Sequence, residues 1–150
     1  MPNRPVHDIV GITVGVLEGA RSASVAASPY PAIETIAAAI SGLAGSRVPD
    51  WLEPSNVGPR HRALAHDAAT GLLIAKLPVA EWQATCRRLG AVHAARANTL
   101  PDDSWPQLLE RLLAYICYAL AGCLGGLRAG YLSHLALDFT TPAGLPIAGF

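Results

Sequence analysis

His134 and Asp138 stand four residues apart in the apolar stretch GYLSHLALDFTTPAGLP, residues 130–146. In a helix, side chains at i and i+4 share a face, with Cβ atoms roughly 5–6 Å apart. That separation lets one imidazole and one carboxylate hold a metal ion between them. Both groups face an apolar interior and need a partner there, either a cation or each other. Thr140, Thr141, Pro142 and Gly144 are expected to end the helix, because proline lacks the amide hydrogen and glycine accepts the turn.

A second group lies in RHRALAHDAATGLLIAKL, residues 60–77. His61 and His66 are five positions apart, roughly 140° around an ideal helix. They serve one ion together only if His61 sits in the preceding loop or first turn. Asp67 is then a further ligand, a partner for a histidine, or a solvated charge. His7 opens the first apolar stretch with Gly11 on its face; alone it reads as an ordinary histidine at a helix start. Asp50, in the tripeptide VPD, alone reads as a turn or cap residue. His93 reads as a surface histidine. Taken together, His7, His61, His66, His134 and Asp138 all fall at the start of, or within, apolar helical stretches. Neutral imidazoles and carboxylates in that setting are what a zinc- or manganese-type site requires.

The elements that must position these groups are helical. Of the 150 residues, 51% are apolar and only 15% charged, against ~25% charged in an average soluble domain. Mean hydropathy is +0.32. The expectation is one all-α domain, 1–150: a compact bundle of about five or six helices, membrane-embedded or membrane-associated, with a polar metal site inside. Helices are expected over 5–20 and 32–43, the latter closed by Gly42 and Gly45. A non-helical connection is expected over 46–59, where Pro49, Pro54 and Pro59 fall. An amphipathic helix is expected over 79–97. Its arginines Arg87, Arg88 and Arg96 suit either a lipid-headgroup surface or solvent. A further helix is expected over 105–127, capped by Asp102, Asp103 or Ser104. Its charge-free run of sixteen residues, 112–127, approaches the ~20 needed to cross a bilayer.

Eleven basic and eleven acidic side chains cancel, which argues against nucleic acid as a partner. Cys86, Cys117 and Cys123 share no CxxC spacing and read as reduced thiols. The N-terminal apolar stretch is interrupted by His7, Asp8, Glu18 and Arg21 and is read as part of the mature chain rather than a cleaved leader.

His7 with Gly11, Pro49-Asp50, the HRALAHD block and GYLSHLALDFTTPAGLP together resemble the YdjM/YbcI-type family of predicted membrane-bound metal-dependent hydrolases, one branch of which carries the name LexA-binding. The resemblance covers nearly the whole chain in the expected order, and the last block is the most specific. It implies that His7, Asp50, His61, His66, His134 and Asp138 are the polar motif positions. Two departures stand out. Ala65 and Asp67 flank His66 where the family usually has threonine and serine, and Leu52 stands where a second aspartate often follows the PD pair. The chain stops soon after the last motif, which implies a minimal version of the fold, or one completed by a partner.

What the resemblance implies is a divalent ion, zinc before manganese, at an inner (cell) membrane. It would activate water against an ester or phosphoester, either a small molecule or a lipid-like substrate. Asp67 or Asp50 would be the general base, and Arg62 would pair with a phosphate oxygen. A protein partner or a second copy is compatible with this reading. One alternative is a non-catalytic, LexA-binding-type interaction module with a structural metal. Another is a soluble phosphohydrolase of the HD kind, read through His61, His66-Asp67 and Asp138.

Overall fold

The computed structural model of the chain describes residues 4–52 and 65–140. His61, Arg62, Pro54, Pro59, Thr141, Pro142 and Gly144 lie outside the described residues. The described part is all-helical: α1 (Arg4–Val25), α2 (Pro31–Leu52), α3 (Ala68–Lys76), α4 (Val79–Ala97) and α5 (Trp105–Phe139). The bundle itself is four long helices, with the nine-residue α3 laid on α5. That is fewer than the five or six expected, because α5 runs unbroken where two helices were anticipated. At 35 residues it is about 52 Å long. Ser104 caps it, its Oγ accepting from the Gln107 amide.

Two expectations about breaks in α2 are corrected. Pro49 does not start a loop, since α2 continues through it to Leu52. Proline removes one ladder bond, and near a helix end that loss ends only one turn's pairing. Gly42 and Gly45 do not close the helix either; they lie inside it, where other backbones pass. A side chain at Gly42 would meet the Gly11 carbonyl, and one at Gly45 would meet that of Leu127.

The same close approach sets the register of three helices. Gly122 lies on Glu34, Gly126 on Ala38, Gly130 on Gly42, and His134 reaches Ser46, a constant offset of 88 positions. So α2 and α5 run parallel, touching every fourth residue. α1 runs antiparallel to α2, with Gly19 at Glu34 and Thr35, Gly15 at Ala38, and Gly11 at Gly42 and Ser46. Small residues at i, i+4 let helices approach to backbone contact, the packing mode used where lipid rather than water is the solvent.

The interior is accordingly small and polar. The largest side chains under 2% exposed are His66, His134, Glu34, Asp138, Pro49 and Ser46. Large apolar side chains point outward instead, among them Ile9 at 64% and Ile40 at 67% exposed. α5 is long and apolar enough to cross a membrane.

At the far end of the three-helix packing, α4 is fastened by a buried ion pair. Arg87 Nη2 lies 2.6 Å from Glu34 Oε2 and donates also to Ser22 Oγ at 2.8 Å. Gln83 Nε2 donates to the Ala121 carbonyl at 2.9 Å. Arg87 therefore turns inward, contrary to the headgroup or solvent role expected of it. His93 is partly exposed and paired: its Nδ1 lies 2.6 Å from Glu110 Oε2, tying α4 to α5.

Candidate metal centre

The parallel register of α2 and α5 brings the final polar residues of each to one level: Ser46 and Asp50 on α2, His134 and Asp138 on α5. α1 runs the other way and so places its first turn, with His7, at the same end. Arg47 holds that alignment from outside, donating through Nε and Nη2 to the two Asp8 oxygens at 2.8 and 2.7 Å. These bonds hold the Asp8 carboxyl below its usual range.

His66 comes from the segment leading into α3, which α5 grips in three places. The Tyr131 hydroxyl donates to the Ala65 carbonyl at 2.6 Å, Leu135 packs on Gly71, and Arg128 donates to the Ala75 carbonyl at 2.7 Å. Asp67, next to His66, caps α3: its Oδ1 accepts the Thr70 amide. Asp67, expected as a ligand or base, thus has one of its two carboxylate oxygens engaged by the cap.

Five of the six expected ligands converge. His134 Nε2 lies 3.2 Å from His66 Nε2, 3.5 Å from Asp138 Oδ2 and 3.7 Å from Asp50 Oδ1. His66 Nε2 lies 3.3 Å from Asp50 Oδ1 and 4.0 Å from Asp138 Oδ2. His7 Nε2 lies 3.5 Å from Asp138 Oδ1, its ring 4.1 Å centroid to centroid from that of His134. Among the described residues, two overlapping sets have the spacing to hold an ion: His7, His134 and Asp138, all buried, and Asp50, His66 and His134. They share His134 and are two sides of one cluster. The sixth expected ligand, His61, and the expected phosphate partner Arg62 lie outside the described residues.

The fit to a cation follows from these distances. Four ligands at about 2.0–2.1 Å from a tetrahedral ion stand about 3.3 Å from one another, and the observed separations run from 3.2 to 4.0 Å, within a small adjustment of that value. Protonation points the same way. His134 Nδ1 lies 2.6 Å from the Ser46 carbonyl, which only accepts, so Nδ1 carries the hydrogen and Nε2 of the neutral ring presents a lone pair. That lone pair faces two carboxylates and another imidazole. Burial, then the neighbouring His134, lowers the His7 pKa and favours its neutral, ligating form. The His66 hydrogen bond holds Asp50 below the usual carboxylate range, so it stays charged. The Asp50 side chain is 50% exposed while those of His66, His134 and Asp138 are at most 3% exposed, which makes Asp50 the side of the cluster open to solvent.

The Ser46 carbonyl is the functional group that sequence reading missed. Backbone acceptors leave no trace in residue type; the nearest signal is Pro49, which loosens the ladder of that turn. Compared with protein-family models, with curated proteins and with solved structures, the chain matches none of them.

Proposed function

We propose that the protein is a membrane-associated, metal-dependent hydrolase acting on an ester or phosphoester. The observation that carries this reading is the convergence of His7, Asp50, His66, His134 and Asp138, from four separate stretches of chain, at ligand-to-ligand distances. The donor set of imidazoles and carboxylates suits zinc first and manganese second. A bound divalent ion would polarise a substrate oxygen and bring the pKa of water towards ~7.

The chain's own residues do the rest. His134, oriented by Ser46, and Asp138, on the same helix face, form the fixed inner wall. His66 closes the site from the α3 side. Asp50, ionised and half-exposed, is placed to accept a proton from water entering at the open edge. The resemblance to the YdjM/YbcI-type family supports the same residues. The outward apolar side chains of α1, α2 and α5 support a bilayer as the surrounding medium: water would drive them inward, and acyl chains do not.

The test is metal content. Purified protein and its His134→Ala and Asp138→Ala variants would be assayed by elemental analysis and for hydrolysis of an aryl phosphodiester. One bound ion per chain in the parent, lost in both variants together with turnover, is the expected result. A parent free of stoichiometric metal after growth in zinc- and manganese-supplemented medium would sink the reading.

A further inference from the structure

Pro49 stands inside α2, in its last turn, and is less than 2% exposed, an unusual place for a residue that cannot donate to the helix ladder. It has no amide hydrogen, so the Gly45 carbonyl loses its helical donor, and its ring crowds that carbonyl. Proline at this spacing opens a helix on the turn before it. A second bending influence lies on the same turn: the Ser46 hydroxyl donates back to the Leu43 carbonyl at 2.8 Å, a bond that tilts helices. Ser46 is also hemmed in from α1, since a side chain at Gly11 would come within 2.5 Å of its Oγ. On this turn the Ser46 carbonyl accepts from His134 Nδ1 at 2.6 Å.

We propose that Pro49 is a positioning residue for His134: by opening the last turns of α2 it turns the Ser46 carbonyl out to the imidazole and locks the ring with Nε2 aimed at His66, Asp50 and Asp138. The proposal rests on the metal reading above. Pro49-Asp50 then does two things at once. The proline disturbs the turn that carries the acceptor for one ligand, and the aspartate that follows supplies a carboxylate to the same cluster. Partners that fix the second nitrogen of a ligating histidine typically contribute 10–100-fold in metal affinity.

The experiment uses the full chain in detergent with Pro49→Ala and Pro49→Val, the latter close to proline in volume so that a cavity does not mislead. Three quantities are read: zinc affinity by chelator competition, the ¹⁵N shifts that report the His134 tautomer, and the unfolding temperature of the metal-free protein. Both variants are expected to bind zinc 10–100-fold more weakly, to lose the pure Nδ1–H tautomer, and to unfold at or above the parent's temperature, because the ladder bond is restored. Unchanged affinity and tautomer overturn the proposal. So does a fall in metal-free stability matching the fall in affinity, which would make Pro49 a packing residue only. A parent that binds no metal overturns the hydrolase reading separately, and the tautomer comparison in metal-free protein then decides the role of Pro49.

Discussion

The Nε2 atoms of His66 and His134 face each other at 3.2 Å although 68 positions separate the two residues in the chain. His134 Nε2 turns a lone pair to this contact, so a hydrogen on His66 Nε2 or a cation lies between the two rings, and two nearby carboxylates favour the cation. Metal should therefore stabilise the fold. An ion binding only the folded state, at 100 times its Kd, adds ~2.7 kcal/mol. Chelation is expected to lower the unfolding temperature, and re-adding zinc to restore it. In His134→Ala, chelator and zinc should leave that temperature unmoved.

The histidines are not equivalent. His134 is held from both sides, by Ser46 at Nδ1 and by the cluster at Nε2. Among the described residues, buried His7 Nδ1 has no hydrogen-bond partner, so its ring is less firmly aimed. His7→Ala is expected to weaken zinc binding about 10-fold, the lower end of what a loosely supported group contributes. His134→Ala should abolish binding at micromolar metal. Chelator competition on both variants checks the order.

Protons compete with the metal for the same lone pairs. Ordinary histidines protonate below ~6.5, and each protonated ligand is lost to the ion. His7, its pKa lowered by burial and by His134, stays neutral further into acid, and Asp50, its pKa lowered by His66, stays charged. Zinc affinity is thus expected to persist below ~6.5, the ordinary histidine value, and to fall only further into acid. Titration in two buffers of different ionisation heat would count the protons released.

Much of this centre was legible because helix periodicity is local. The four-residue spacing of His134 and Asp138 survives as a shared face, and so does that of His7 and Gly11. The level at which the helices meet was not legible. Gly42 and Gly45 look like terminators when neighbours are unknown, and only the packing of α1 and α5 against them shows that they admit backbone. Asp50 was obscured for a related reason: Pro49 argues for a break, whereas near the end of α2 the helix tolerates it. Arg87 was misread because its charge suits a surface, and nothing local announces that Glu34, 53 positions away, waits inside.

The packing itself is open to test. Gly130 has the Gly42 backbone where a side chain would go, and a backbone cannot yield as a flexible side chain does. Gly130→Leu is expected to abolish folded protein. Ile40→Leu, on the outward face of the same region, should stay within ±0.5 kcal/mol, the usual range for surface exchanges. Yield of monodisperse protein in detergent and the unfolding temperature together report both results.

Asp67 can be assigned by a pair of substitutions. As the cap of α3 it needs one side-chain oxygen to accept the Thr70 amide, and asparagine supplies that oxygen about as well as aspartate. As a general base it would need a charge, which asparagine lacks. Asp67→Asn is therefore expected to keep zinc affinity, stability and phosphodiesterase turnover near the parent's. Asp67→Ala should lose ~1 kcal/mol of stability, and metal affinity should fall with it because His66 is the next residue. Turnover destroyed in Asp67→Asn, with metal and stability intact, would move the proposed base from Asp50 to Asp67.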